Sequence, residues 1–257
     1  MHPILYQSDS IVISAFGVLL SLTYLIAGSV FILIGRKHQV STNKLLGVLL
    51  WGYLGGLVGS RLLFVLSNLS QFQTAPWRAF SISPGGFIIY GGLVFSVLAL
   101  GWYVKANQLS FWDIVDYGAV ATAVGMSITK IGCYLAGCCY GQETTLGIGV
   151  QFPEFSPPAQ HYGILHSVHP SQLYGSVWGL GLLVVLLWVG KRQRVAGEVC
   201  LSFFLLFSLE RMFNLTQRGD IVNDLVWGIP QSQLFGAVFV VAAAATWLIL
   251  RRQQRRP

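Results

Sequence analysis

Residues 11–34 read IVISAFGVLLSLTYLIAGSVFILI, an apolar run without one charged side chain, and Gly35-Arg36-Lys37 follows directly. A helix needs about 20 apolar residues to cross a hydrocarbon core of ~30 Å, so this stretch predicts a transmembrane helix. The same ruler finds six more runs: Leu45–Leu66, Gly85–Val104, Ile114–Ala136, Gln172–Val189, Gly197–Phe213 and Gln233–Leu250. The fifth and sixth runs are on the short side. Over 257 residues, 54% are hydrophobic and 10% charged, against about 25% charged in a soluble domain. A water-soluble globular enzyme is excluded. The chain reads as an all-α integral membrane protein with seven transmembrane helices, one polytopic domain over residues 1–257.

The basic residues orient it. Arg36, Lys37 and Lys44 follow the first run, Lys105 the third, Lys191, Arg192 and Arg194 the fifth, and Arg251, Arg252, Arg255 and Arg256 the seventh. These alternate connections are cytoplasmic by the positive-inside rule, which puts the N-terminus on the periplasmic side and the C-terminus in the cytoplasm. Met1–Ser10 contains no Lys or Arg, so no cleavable signal peptide is expected. The net charge of +7 sits in these short clusters, where it reports topology and not a nucleic-acid face.

Three cations fall inside the runs: Arg61, Lys130 and Arg211. A charge at mid-membrane costs several kcal/mol, so each needs a partner or a task. The second, fourth and sixth runs all travel outward, which places the three in final turns at one outer level, with Arg218 just beyond. Taken singly, each could snorkel, or pair with Glu210 or Asp220. Converging from alternate helices, they predict a cationic pocket at headgroup depth. Arg donates to phosphate as a fork and Lys acts as a point charge, so the expected ligand is an anionic phospholipid.

The connection at 137–170 differs from the rest. It runs from Gly137-Cys138-Cys139-Tyr140-Gly141 through Pro153, Pro157 and Pro158 to His161, His166 and His169-Pro170. Its glycines and prolines argue against a regular helix and for a periplasmic loop or re-entrant lid. Cys133, Cys138 and Cys139 precede or open it. Their spacing, followed by His-x4-His-x2-His, matches no recognised zinc pattern, so no metal is expected. A disulfide from Cys133 to one of the vicinal pair and plain packing stay open. Gly52, Gly55, Gly56 and Gly59 mark a helix-packing face. Ser83-Pro84-Gly85-Gly86 and Tyr90-Gly91-Gly92 interrupt the third run, as backbone does where it borders a cavity.

In order and spacing, these motifs resemble the prolipoprotein diacylglyceryl transferase family. The resemblance runs through His2-Pro3-Ile4-Leu5, Gly59-x-Arg61, Gly85-Gly86 with Gly91-Gly92-Leu93, and Lys130-Ile131-Gly132-Cys133-Tyr134-Leu135-Ala136-Gly137-Cys138-Cys139-Tyr140-Gly141. It continues with His169-Pro170-x-Gln172-Leu173-Tyr174, Arg211 to Asp220 with Arg218, and Gln231-x-Gln233. It implies a bacterial inner-membrane enzyme that moves diacylglycerol from phosphatidylglycerol to a lipobox cysteine of a lipoprotein precursor. Glycerol phosphate is released and no cofactor is used. Carried onto this chain, the catalytic candidates are Lys130, Arg211, His169 and Tyr90. The substrate-binding candidates are Arg61, Arg218, Gly91, Gly92, Cys133, Gly141, Gln172 and Tyr174. Lys130 stands where the family has arginine, Cys133 where it has asparagine, Cys138 and Gly175 where it has glutamate, and Tyr90 where it has histidine. Competing readings are transfer of a phospholipid-derived group to another acceptor, a non-catalytic lipid-binding membrane protein, and a thiol oxidoreductase.

Overall fold

In a computed structural model, which describes residues 4–8, 12–73, 76–80, 86–220, 225–226, 229–230, 236–237, 240–241 and 243–247, the apolar runs fold as helices. The long ones are α1 (Ala15–Lys37), α2 (Thr42–Ser67), α4 (Ile89–Ala106), α5 (Phe111–Ala136), α7 (Ser171–Arg192) and α8 (Glu198–Gln217). Two short ones, α3 (Leu69–Phe72) and α6 (Pro157–Tyr162), lie between them. Among the described residues four helices, α1, α2, α5 and α7, are long and apolar enough to cross a membrane. Of the seventh expected span, only 236–237, 240–241 and 243–247 are described, and all of these are helical. The remainder of that span lies outside the described residues, as do Ser83-Pro84-Gly85, His2-Pro3 and Gln231-x-Gln233. Leu25, Leu98 and Val184 are 68%, 62% and 67% exposed along their helices. Apolar faces of that kind are liabilities in water and ordinary in lipid. The protein is a helical, multi-pass membrane protein.

Several boundaries differ from the sequence expectation. The first apolar run does not begin as helix, because Val12–Ser14 forms strand β2, paired antiparallel with β1 (Ile4–Gln7). Helix then starts at Ala15, where the Ser14 hydroxyl accepts the Gly17 N–H at 3.0 Å and satisfies one of the orphan donors of the first turn. A second small hairpin pairs β3 (Leu225–Val226) with β4 (Ile229–Pro230). The fifth and sixth runs are longer as helices than as apolar stretches, 22 and 20 residues.

The chain divides into two compact units, Ile32–Ile114 and Met1–Phe31 with Val115–Pro257. In the first, α2 and α4 meet backbone to backbone. A side chain on Gly91 would stand 2.3 Å from the Gly59 carbonyl, and one on Gly59 would stand 2.4 Å from that of Gly91. Gly92 lies against the Gly56 carbonyl, and Ser96 donates to the Gly52 carbonyl at 2.7 Å. The expected glycine face of α2 is therefore a packing face for α4, of the small-residue kind that lets helices approach without lipid between them.

In the second unit α5 is the best-covered span. Its Gly125 lies against Thr23 and Ala27 of α1, and Thr129 donates to the Thr23 hydroxyl at 3.2 Å. Toward α7, Ser176 donates to the Ser127 carbonyl at 2.9 Å. Asp116 is buried and accepts the N–H groups of Gly197 and Cys200 and the Gln193 amide, at 2.6 to 2.7 Å. A carboxylate on the first N–H groups of α8 satisfies orphan donors and favours the positive end of the helix dipole. Gly91→Ala should cost about 1–3 kcal/mol by overpacking. Gly101→Ala, on the same helix with nothing within 4 Å of the added carbon, should be neutral or slightly stabilising. Thermal unfolding of the two variants in detergent checks this, and equal melting temperatures would contradict the glycine interface.

Candidate active site

The site of the second unit begins where α5 stops. Gly137 takes a left-handed φ of 75°, which glycine adopts without a side-chain penalty. Cys138 N–H then bonds the Cys133 carbonyl at 3.2 Å and Gly137 N–H the Tyr134 carbonyl at 3.3 Å. That pair of bonds is a Schellman turn, which sets the residue after the glycine against the one five earlier. Here those two residues are Cys138 and Cys133. Cys139 follows, also left-handed at φ 58°, and the sulfur atoms of Cys133, Cys138 and Cys139 all lie within 4.8 Å of one another. All four cysteines of the chain are free thiols, so the disulfide staple does not form in this structure.

The segment after the turn is held on both sides. Ser171 Oγ donates to the Cys139 carbonyl at 2.6 Å and Gln172 Nε2 to the Cys138 carbonyl at 2.7 Å, both from the first turn of α7. Gly141 N–H bonds the His169 carbonyl, His169 N–H the Gln142 carbonyl, Gln142 N–H the Gln217 carbonyl, and Gly219 N–H the Tyr140 carbonyl. Residues 138–142 thus thread between the start of α7 and the end of α8. Gly141 fits because a side chain there would stand 2.5 Å from His169 Cβ.

Two cations reach the thiols. The Lys130 stem lies across Gly175 of α7, whose added Cβ would sit 3.0 Å from Lys130 Cε. Arg218 is forked onto Asp220 through Nε at 2.8 Å and Nη2 at 2.6 Å. Hydrogen bonds from the Cys133 and Cys138 thiols, followed by the charges of Arg218 and Lys130, hold the Cys139 thiol well below its ordinary range against an opposing effect of burial. The same sulfur contacts, with burial added, push Cys138 up. Of these two thiols Cys139 is held the more acidic. His169 Nδ1 meets the Tyr174 hydroxyl at 3.1 Å, while Gln172 is fully buried.

The expected final-turn positions of the cations are corrected. Arg61, Lys130 and Arg211 each stand six residues before the end of their helix, about 9 Å inside at 1.5 Å per residue. Helix α8 runs four residues past its apolar stretch, which carries Arg211 inward, whereas α2 and α5 end within a residue of theirs and Arg61 and Lys130 stand more than a turn before those ends. Arg211 stacks near the Phe207 ring at 5.9 Å, while its neighbour Glu210 accepts the Asn214 amide at 2.7 Å. Arg61, in the other unit, gives its N–H groups to the carbonyls of Arg78, Ala79 and Gly86 at 2.6 to 2.8 Å. Tyr90 is 65% exposed in the first turn of α4, and Gly91 and Gly92 are taken up by packing on α2.

The connection at 137–170 carries more structure than a plain loop. Tyr140, Phe152 and Val168 form a small core with Tyr134, Val150 and Tyr162 against it. Tyr140 Oη meets His161 Nδ1 at 2.8 Å, and His161 stacks on Tyr162. Residues 157–162 are helical despite two prolines, because Pro157 and Pro158 occupy the first helical positions, where a missing N–H costs nothing. The sequence offers Asp220 as a pairing partner for the outer cations, but gives no sign of Ser171 or of the clamp role of Gln172. Only Gly137 carried a signal, as a helix-ending glycine placed between two cysteines.

Cations beside free thiols, close to where an apolar helix ends, mark a membrane protein with a charged, thiol-bearing site. Comparison with known proteins narrows the class. The prolipoprotein diacylglyceryl transferase family model matches residues 3–249. Phosphatidylglycerol–prolipoprotein diacylglyceryl transferases are similar at 27% identity in Clostridium tetani, covering 86% of each chain, and at 26% in Trichormus variabilis, covering 98% of this chain and 91% of that one. A second enzyme of that name in Clostridium perfringens is 26% identical over 94% of this chain and 92% of its own. The chain belongs to the prolipoprotein diacylglyceryl transferase family.

Thiol labelling tests the electrostatics. At about pH 6, iodoacetamide should alkylate Cys139 and spare Cys138, as read by peptide mass spectrometry. Arg218→Gln should slow Cys139 labelling several-fold at that pH, with the two proteins converging in mild alkali as the thiol ionises unaided. Equal labelling of the two cysteines would contradict the assignment.

Proposed function

We propose that the protein transfers a diacylglyceryl group from phosphatidylglycerol, or another anionic phospholipid, to the cysteine thiol of a lipoprotein precursor. The observation that carries this reading is the pair Lys130 and Arg218 at the thiol-lined end of α5, in a chain matched to the transferase family over 3–249. The relatives' names supply the donor and the acceptor. In the reaction, the acceptor sulfur attacks the glyceryl carbon bonded to phosphate oxygen. The C–S bond forms, the C–O bond breaks, and its electron pair leaves on glycerol phosphate.

Lys130 and Arg211 stabilise the charge that grows on the departing phosphate, an electrostatic task performed best by groups fixed in advance. Arg218 shares its fork with Asp220 and contributes charge. His169, oriented through Tyr174, is the base for the acceptor. Gln172 and Ser171 are positioning residues that hold the backbone of Cys138 and Cys139. Arg61 ties together the carbonyls of Arg78, Ala79 and Gly86 in its own unit. The enclosing topology has seven spans, a periplasmic N-terminus and a cytoplasmic C-terminus in the bacterial inner membrane, with 137–170 on the periplasmic side. Positive clusters at alternate connections support it. Both partners are membrane-borne, and nucleic acid has no part.

Purified protein in detergent, labelled phosphatidylglycerol and a lipobox peptide should give lipidated peptide and glycerol phosphate. Lys130→Ala and Arg211→Ala should each lower transfer about 10²–10³-fold, the scale for removing one charge-stabilising donor. An absence of lipidated peptide, in conditions where one of the similar enzymes is active, would overturn the reading.

A further inference from the structure

The thiol cluster holds chemistry that phosphate binding by cations does not use. The sulfur atoms of Cys133, Cys138 and Cys139 lie within 4.8 Å of one another. Zinc bonded tetrahedrally to thiolates at about 2.3 Å sets neighbouring sulfurs about 3.8 Å apart. Side-chain rotation that closes the widest gap by about 1 Å completes three ligand positions. The backbone is committed to this grouping. The Schellman turn at Gly137 brings Cys138 to Cys133, and Cys139 holds a left-handed φ of 58° that costs about 1 kcal/mol in a residue with a side chain. Such strain persists where surrounding contacts over-determine it, typically at functional sites. Here the contacts are the Ser171 and Gln172 clamps on the two carbonyls.

Charge agrees with a metal–thiolate centre. Zinc with three thiolates carries a net −1, and Lys130, Arg218 and Asp220 together supply +1. The residue that clamps Cys138 also carries an unpartnered polar atom. Gln172, fully buried, uses its Nε2 on Cys138, and its Oε1 has no hydrogen-bond partner among the described residues.

We propose that Cys133, Cys138 and Cys139 form a three-thiolate zinc site whose exchangeable fourth position binds the acceptor thiol. The identity of that acceptor rests on the transferase reading. A catalytic zinc keeps three protein ligands and one open position, and a thiol that coordinates the metal is deprotonated on binding. The acceptor's proton passes to His169, the base of the transferase reading, as the Zn–S bond forms. Its sulfur electron pair then makes the bond to the glyceryl carbon, the carbon–oxygen bond to phosphate breaks, and glycerol phosphate departs with that electron pair. Zinc stays divalent throughout, and nothing is oxidised or reduced. The thioether product is a weaker ligand than a thiolate, so the next acceptor displaces it.

The test uses the full-length protein, purified in detergent under reducing conditions and loaded with Co²⁺ in place of zinc. We expect about one metal per chain by elemental analysis, thiolate-to-cobalt charge-transfer absorption, and the intense visible bands of a four-coordinate ion. A lipobox peptide with a free cysteine should shift those bands, and its serine counterpart should not. Cys133→Ser, Cys138→Ser and Cys139→Ser should each lose the metal, while Cys200→Ser, elsewhere on α8, keeps it. Failure of the intact reduced protein to retain metal overturns the proposal, and so does a cobalt spectrum that the cysteine peptide leaves unchanged. Both readouts come before turnover, which separates the two claims. Lipid transfer by metal-free protein would remove the zinc site and leave the transferase reading standing. A cobalt spectrum that responds to the peptide, without transfer, would do the reverse.

Discussion

Where α5 ends, the chain must leave a helix without leaving its peptide groups unpaired, and the site is built from the solution to that constraint. An unpaired backbone N–H or C=O away from water costs about 1–3 kcal/mol, and more where lipid is the solvent. The left-handed Gly137 lets its own N–H and that of Cys138 close onto the Tyr134 and Cys133 carbonyls near the end of α5. Ser171 and Gln172 then take the next two carbonyls, and the backbone of His169, Gln217 and Gly219 takes the rest. The same bonds that satisfy the backbone fix the directions of the three thiols. Stability and chemistry therefore draw on one set of contacts, and a substitution at Ser171 or Gln172 acts on both.

The two compact units meet their constraints differently. Residues 32–114 rely on close approach, with carbonyls of α2 and α4 resting where a side chain would stand. In that unit Arg61 is absorbed by three carbonyls, an arrangement that stabilises an irregular segment with a single side chain. The other unit relies on polar side chains at the ends of helices. Asp116 holds the start of α8, and Ser171, Gln172 and Arg218 act at the opposite ends of α7 and α8. Lys130 belongs to the same pattern, since Gly175 leaves room for its stem along α7.

Much of this was legible in the sequence, for a definite physical reason. Hydrophobic length reads directly onto helix length, so α1, α2, α5 and α7 fall where the apolar runs fall. The glycine face of α2 was legible because small residues at helical spacing have few other uses in lipid. Ends were harder to read. Polar residues such as Asn214 and Gln217 prolong α8 beyond its apolar stretch, which moves Arg211 inward by more than a turn. Pro157 and Pro158 were read as breakers when they are starters. The grouping of Cys133 with Cys138 could have been found from Gly137 as a helix-ending glycine. Cys139 could not, because its left-handed backbone depends on a hydroxyl from Ser171, thirty-two residues away.

The site depends on residues 138–142 being locked between α7 and α8. Amide hydrogen exchange of the folded protein in detergent measures this at the bonds themselves. The amides of Gly141, Gln142, His169 and Gly219 should exchange as slowly as those in the middle of α5 and α7, since each donates to a carbonyl across the clamp. Exchange of these four amides at the rate of an unstructured chain, with the helices still protected, would contradict it.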